Sequence, residues 1–281
     1  MQMDRLPAAD GKYDARLNGL FPGGFIANAV SAAARLGLRA GFAGWVGDDN
    51  GGELLQRAFA DEGVDCRGLS VLKDEATPFC VIMISGSERA IIVPSFPLYK
   101  QTLAEAQLDQ ARRARVVITY PRDEAWCETV ADAAHENGGL FALDVEATSP
   151  LKGKRMRALL DLADVIFLNE DSLSAVEASR LEDLRGPRWV IMTAGSRGAY
   201  ALEPDSEHVV FQSAYPVRAI DTTGAGDCFH AALLAARLWG NDLPTALRFA
   251  SGAAALKVQN LGARGGQPTR EQVETLLESW G

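Results

Sequence analysis

Histidine and cysteine are scarce in this chain, with three and four in 281 residues. Cys66, Cys80, Cys127 and Cys228 form no Cys-x-x-Cys pair, and His135, His208 and His230 stand at no metal-ligand spacing. That argues against a zinc site, a redox dithiol or a disulfide framework and leaves free thiols in a reducing compartment. Also missing are any run of Lys or Arg and any apolar stretch long enough to cross a bilayer, and the net charge is −9. Neither an extended nucleic-acid surface nor a membrane span fits, although a local basic pocket for an anionic ligand does. No signal-peptide pattern opens the chain, so the expectation is a cytoplasmic protein without membrane or nucleic-acid partners. No Gly-x-Gly-x-x-Gly follows an early strand, which sets aside a dinucleotide oxidoreductase.

What is present is ordinary globular material, 47% hydrophobic and 23% charged, sufficient for one large α/β domain. The first half predicts a small-residue helix over 25–36, a strand over 40–46, a helix over 52–62, and strands over 64–72, 78–85 and 90–93, with a turn at Gly86. The second half alternates more regularly. Strands over 116–119, 140–145, 165–168 and 189–193 are separated at first by helices over 124–137, 151–162 and 171–184. A hairpin over 199–202 and 208–211 follows, then helices over 224–239, 243–260 and 269–280. Such alternation implies a mainly parallel sheet with helices on both faces.

The most informative stretch is Asp221-Thr222-Thr223-Gly224-Ala225-Gly226-Asp227, running directly into the apolar Cys228-Phe229-His230-Ala231-Ala232. A small-residue turn leading into a helix presents unpaired amides and the positive end of the helix dipole, a combination that attracts phosphate. Glycines let another molecule approach the backbone. A carboxylate at Asp227, where an anion would land, suits a base taking a proton from an attacking hydroxyl. Taken alone, the motif reads equally well as a capped helix start.

Four ordered motifs shift that balance. Gly23-Gly24-Phe25-Ile26-Ala27-Asn28-Ala29, closing in Arg35-Leu36-Gly37, is followed by Val46-Gly47-Asp48-Asp49 with Glu62-Gly63-Val64-Asp65. Thr193-Ala194-Gly195-Ser196-Arg197-Gly198 comes next, then the Gly224–Asp227 turn with Gly262-Ala263 before Pro268-Thr269. In order and spacing, from residue 11 onward, these resemble the ribokinase-like (PfkB) carbohydrate kinases. The resemblance implies a three-layer Rossmann-like domain with a small β-lid at about 10–20 and 64–95, a homodimer through the lids, and transfer of the ATP γ-phosphoryl to a hydroxymethyl group of a sugar. It makes Asp227 the base and the amides of Gly224, Ala225 and Gly226 the anion hole. Gly23, Gly24 and Asn28 become sugar contacts, and Asn169, Thr193, Gly195, Gly198 and Ser251 nucleotide contacts. Asp221 and Thr223 match a monovalent-cation site for potassium. A nucleoside kinase of the same fold, or a sugar- or nucleotide-binding protein without turnover, stays open.

Three departures stand out. The family's opening strand, with an Asp that grips the sugar, has no counterpart; Met1-Gln2-Met3-Asp4-Arg5-Leu6-Pro7 resembles the segment after it, as a truncated start would. The Asn-x-x-Glu motif that holds Mg²⁺ through water reads Asn169-Glu170-Asp171-Ser172, which leaves Glu170 or Asp171 to substitute. Phe25 and Ile26 replace the Lys and Gly of ribokinases proper, which disfavours ribose. Local matches point toward ketohexose- and sulfofructose-kinase-type members, in which Lys12 and Arg122 would face an anionic sugar head; two solvated surface cations are the alternative. Asp144, ending a strand, is placed to touch the phosphate and metal waters. His230 is expected to pack.

Overall fold

The first helix needs no polar cap residue: Gly24, at φ 92°, turns the chain into α1 (Phe25–Arg35), whose alanines let it pack closely. A short parallel pair follows, β1 (Gly44–Gly47) and β2 (Leu69–Leu72), around α2 (Asn50–Asp61). Asp49 caps α2 by accepting from the Gly52 amide and also binds Thr77, which ties the helix start to the chain beyond β2. The computed structural model describes residues 1–280 apart from 86, 87, 150, 185, 205 and 207, so the turn expected at Gly86 lies outside the described residues.

Next comes an antiparallel hairpin, β3 (Val81–Ser85) with β4 (Glu88–Ile92). The N-terminal segment lies along it. Met3 donates to Ile84 O, Ile84 donates to Met1 O, and Gln2 also bridges Arg16. Then follow α3 (Glu105–Arg112), β5 (Val116–Thr119), α4 (Glu124–His135), β6 (Leu140–Val145), α5 (Gly153–Leu162), β7 (Val165–Asn169) and β8 (Trp189–Thr193). The chain ends through β9 (Gly198–Leu202), β10 (Val210–Ser213), α6 (Ala225–Leu238), α7 (Leu243–Lys257) and α8 (Arg270–Ser279).

The main sheet has the order β10-β9-β8-β7-β6-β5, with β5 to β8 parallel and β9 and β10 antiparallel. Side-chain alternation sorts each strand between two cores. Phe141, Leu143 and Val145 of β6 and Ile166 and Leu168 of β7 meet α4 and α5. Ala142, Val165 and Phe167 meet α1, α6 and α7 on the opposite face. Helices on both faces of a mostly parallel sheet make three layers, and the same alternation turns Asp144 toward α6.

Several expected elements differ. The strand over 64–72 shortens to β2 because Asp65 folds its carboxylate back onto the Arg67 amide and guanidinium, a turn that ends pairing. The helix over 171–184 is instead two short 3-10 turns, Glu170–Val176 and Leu181–Asp183, the first stopped by Glu177 in the left-handed region at φ 53°. Helix α3 carries no expectation, since EAQLDQAR is polar on nearly every face. Its glutamines serve the backbone: Gln107 donates to Gly44 O, while Gln110 bonds Asp65 O and the Gly68 amide. They satisfy polar groups beside β1, which among the described residues pairs with β2 alone.

Candidate active site

The site forms where α1 and α6 begin side by side. Gly224, at φ 77°, lets the chain enter α6, and a Cβ there would stand 2.2 Å from Ala263 O. Only glycine admits both that backbone conformation and that contact. The loop after α7 therefore lies directly against the turn before α6. Of the three amides expected to form an anion hole, that of Ala225 donates to Thr222 O at 3.2 Å. Those of Gly224 and Gly226 belong to the turn and first helical residues, where no intrahelical acceptor exists.

Asp227 lies in the first turn of α6, and its Oδ2 accepts from Asn28 Nδ2 at 2.8 Å. Two motifs 199 residues apart thus meet in one hydrogen bond. Burial pushes the Asp227 carboxyl up to about 7; Asn28 and His230 oppose that, while Asp144 and Glu146 add to it. A carboxylate near 7 is half-ionised at neutral pH, which suits proton transfer. Asn28 is held on its acceptor side as well: its backbone carbonyl accepts from Gln267, and its Oδ1 accepts from Arg264 Nε at 3.2 Å. Arg264 is a residue that motif reading missed. Its side chain is 6% exposed, reaches Glu62 and Gly23 O, and lies over the Phe59 ring. By orienting the Asn28 amide, this guanidinium leaves only the NH₂ end to face Asp227.

Behind Asp227 lies a second group of buried charges. His230 stacks on Phe167 with centroids 4.2 Å apart, so it packs as expected, but its Nδ1 is also 3.4 Å from Asp144 Oδ2. Burial works against its protonation, yet Asp144, Asp227 and Glu146 together hold its pKa above the ordinary value. Glu146 receives Asn169 Nδ2 at 3.4 Å, and its carboxyl is raised by burial, then by Asp144 and Asp171. Asn169 caps the following 3-10 turn through Ser172. Glu170, a carboxylate the sequence offers for Mg²⁺, is exposed and paired with Arg197. Glu146, two residues after Asp144 on the carboxyl side of β6, is the carboxylate that meets Asn169.

Thr193 ends β8 opposite Asn169 of β7, so these nucleotide-site candidates come together at the strand ends. Gly195 at φ 57° and Gly198 at φ 126° frame the tight turn into β9; a Cβ on Gly198 would meet Gln212 O at 2.0 Å. Ser251 is buried on α7. At the other end of the site, Phe25 packs edge-on against Tyr120, centroids 5.2 Å apart. Arg122 donates to Gln101 O between the rings of Trp45 and Trp126. Lys12 is exposed on the N-terminal segment. Asp221 accepts from the Thr223 amide on Oδ1 and the Gly262 amide on Oδ2, and its carbonyl accepts from Lys257 Nζ at 3.0 Å.

Comparison with known proteins bears on the family and the fold. The model of the pfkB family carbohydrate kinases matches residues 4–270. The chain is 32% identical to the ribokinase of Bacillus subtilis (strain 168) over 262 residues, covering 91% of this chain and 87% of that protein. It is 30% identical to an ATP-dependent ribose-1-phosphate kinase of Halopiger xanaduensis, covering 99% and 93%. A solved structure of Arabidopsis thaliana ribokinase complexed with ribose and ATP superposes with a TM-score of 0.86 at 28% identity, over 99% of this chain and 94% of that one.

Proposed function

The chain belongs to the pfkB family of carbohydrate kinases, an enzyme family that uses ATP, and from that premise we propose that it phosphorylates a hydroxymethyl group of a small sugar with Asp227 as the base. The observation that carries this reading is the Asn28–Asp227 bond, which fixes a carboxylate of raised pKa beside a glycine-led helix start. Asn28 occupies Oδ2 and leaves Oδ1 to take the proton of the attacking hydroxyl. The amides of Gly224 and Gly226 and the α6 dipole stabilise negative charge gathering on the phosphoryl oxygens. Thr193, Gly195, Gly198 and Ser251 would line the nucleotide. Transfer, rather than nucleotide binding alone, is tested by sugar-stimulated ADP release.

For Mg²⁺, the donor set fits when Glu146 replaces Glu170. Burial first, then the Asp144 and Asp171 charges, raise the Glu146 carboxyl, a cost a divalent cation would relieve, whereas Glu170 is paired with Arg197. Bound there through water, Mg²⁺ would supply charge neutralisation to the transferring phosphoryl. Glu146→Gln is expected to weaken Mn²⁺ binding to the ADP complex, read by Mn²⁺ EPR, by about ten-fold. Glu170→Gln should leave it unchanged; the reverse ranking would return the role to Glu170.

The acceptor class follows from the rim. Phe25 against Tyr120 forms an apolar wall, and Arg122, 14% exposed, stands as a cation between two tryptophans. A ketose, or a sugar bearing a phosphate, sulfonate or carboxylate near Arg122 and Lys12, fits this rim better than ribose. The Phe25–Tyr120 wall also favours a second reading, a nucleoside whose base lies on the rings. In a panel of neutral sugars, anionic sugars and nucleosides, anionic ketoses are expected to show the highest kcat/KM. Arg122→Gln and Lys12→Ala should lower that value about ten-fold or more on anionic acceptors alone. Equal loss on neutral sugars would remove the anionic head from the account. Phe79, Ile91, Ile92 and Val93, exposed beside and on the β3–β4 hairpin, favour a homodimer through this lid, with sedimentation of the wild-type chain as the check.

A further inference from the structure

Lys257, the last residue of α7, is fully buried, with 0% of its surface exposed. An ammonium in that position is costly unless oxygen and negative charge surround it. Asp221 supplies both. Nζ donates to Asp221 O at 3.0 Å, and the Asp221 carboxylate belongs to the same turn. Burial raises the Asp221 carboxyl, but the Thr223 and Gly262 amides and the Lys257 charge outweigh it, leaving the group below its ordinary value. The turn and the loop after α7 are stitched together around this ammonium. Ile220 and Asp221 donate to Val258 O, the Gly262 amide donates to Asp221 Oδ2, and Ala263 O lies against Gly224. Its charge is also felt at the start of α6. Burial pushes the Cys228 thiol up to about 12, and Lys257 acts against that rise.

These two loops, 220–224 and 258–266, are the ones in which the family resemblance implies a potassium site built on Asp221 and Thr223. The residues present do not fit a metal ion there. Both Asp221 carboxylate oxygens already accept amides, its carbonyl accepts an ammonium, and a potassium ion would stand beside a like charge. An ammonium and a potassium ion carry the same charge, are close in size and are held by the same carbonyl oxygens. We propose that the Lys257 ammonium is the tethered monovalent cation of this site, shaping the Asp221–Gly224 turn and its anion hole so that the enzyme needs no potassium. The proposal rests on the kinase reading for its rate consequences, though not for its effect on nucleotide binding.

Two measurements decide it. First, ADP affinity and the rate of phosphoryl transfer are compared in potassium, sodium and tetramethylammonium chloride at equal ionic strength. Neither is expected to change by more than about two-fold, whereas a gain of about five-fold or more in potassium, the size of a genuine coupling, overturns the proposal. Second, Lys257→Met is expected to bind ADP at least about five-fold more weakly in tetramethylammonium and to recover in ammonium or potassium. A folded Lys257→Met with wild-type ADP affinity in every salt also overturns it. Should that variant not fold, the wild-type salt comparison still decides. Absence of turnover on any acceptor defeats the kinase reading, and the ADP titrations then decide the role of Lys257 by themselves.

Discussion

Asp227→Asn is expected to fold, bind ADP normally and lose turnover by about 10²–10⁴-fold, the usual contribution of a positioned base. The side chain keeps its shape and can still face Asn28, so a large loss reports proton acceptance rather than packing. The pH dependence gives a second reading. With the Asp227 carboxyl pushed up to about 7, kcat/KM of the parent should fall as pH drops through that value, because the base then carries its proton. Stability moves in the opposite sense. The folded state holds this proton more tightly than the unfolded chain, so ionisation costs stability as pH rises from the ordinary 3.8 through about 7. Asp227→Asn cannot ionise. With the side chain only partly buried, its expected gain over the parent at pH 8 is about 1–2 kcal/mol in urea unfolding, vanishing near pH 4. A variant that is both inactive and less stable at pH 8 would mark Asp227 as structural.

The second large effect is at Gly224. Gly224→Ala places a Cβ 2.2 Å from Ala263 O on a backbone with φ 77°, and the Ala263 loop cannot retreat without breaking the Gly262–Asp221 bond. The strain costs about 1–3 kcal/mol, and displacement of the anion-hole amide is expected to lower kcat by about 10²–10³-fold. Gly240, at φ 93° beyond the other end of α6, has no atom within 4 Å of an added Cβ. Gly240→Ala therefore carries backbone strain without touching the site. Lost stability with unchanged kcat in that control, against lost kcat in Gly224→Ala, separates strain from catalysis; equal kcat losses in both would deny the turn a catalytic role.

The parallel half of the fold is readable because its strands are nearly continuous apolar runs and its helices alternate with them, as at Leu140–Val145, broken only at Asp144, and Glu124–His135. The 3-10 turns after Asn169 are not, since Glu-Asp-Ser-Leu-Ser-Ala-Val has a helical pattern and only the left-handed Glu177 halts it. Nor is α3, whose anchors are glutamines bonded to distant backbone groups. The site divides in the same way. Asp227, Asn28 and the glycines announce themselves because a helix start at small residues is a local event. Arg264, Glu146 and Lys257 do not, because their roles depend on which loops come together. A signal existed for Lys257: it closes the long apolar run Ala253-Ala254-Ala255-Leu256 on a helix buried along most of its length. A charge there implies an internal partner. For Arg264, in the loop Gly262-Ala263-Arg264-Gly265-Gly266, nothing local distinguishes a buried guanidinium from a solvated one.

A ³¹P NMR time course with MgATP and the panel of acceptors, run on the parent chain and on Asp227→Asn, tests the central claim most directly. The expected result is a phosphomonoester signal that grows with ADP only when a suitable sugar is present, and that is abolished in the variant. Inorganic phosphate released at the same rate with or without acceptor, or an undiminished phosphomonoester signal from Asp227→Asn, would contradict the account.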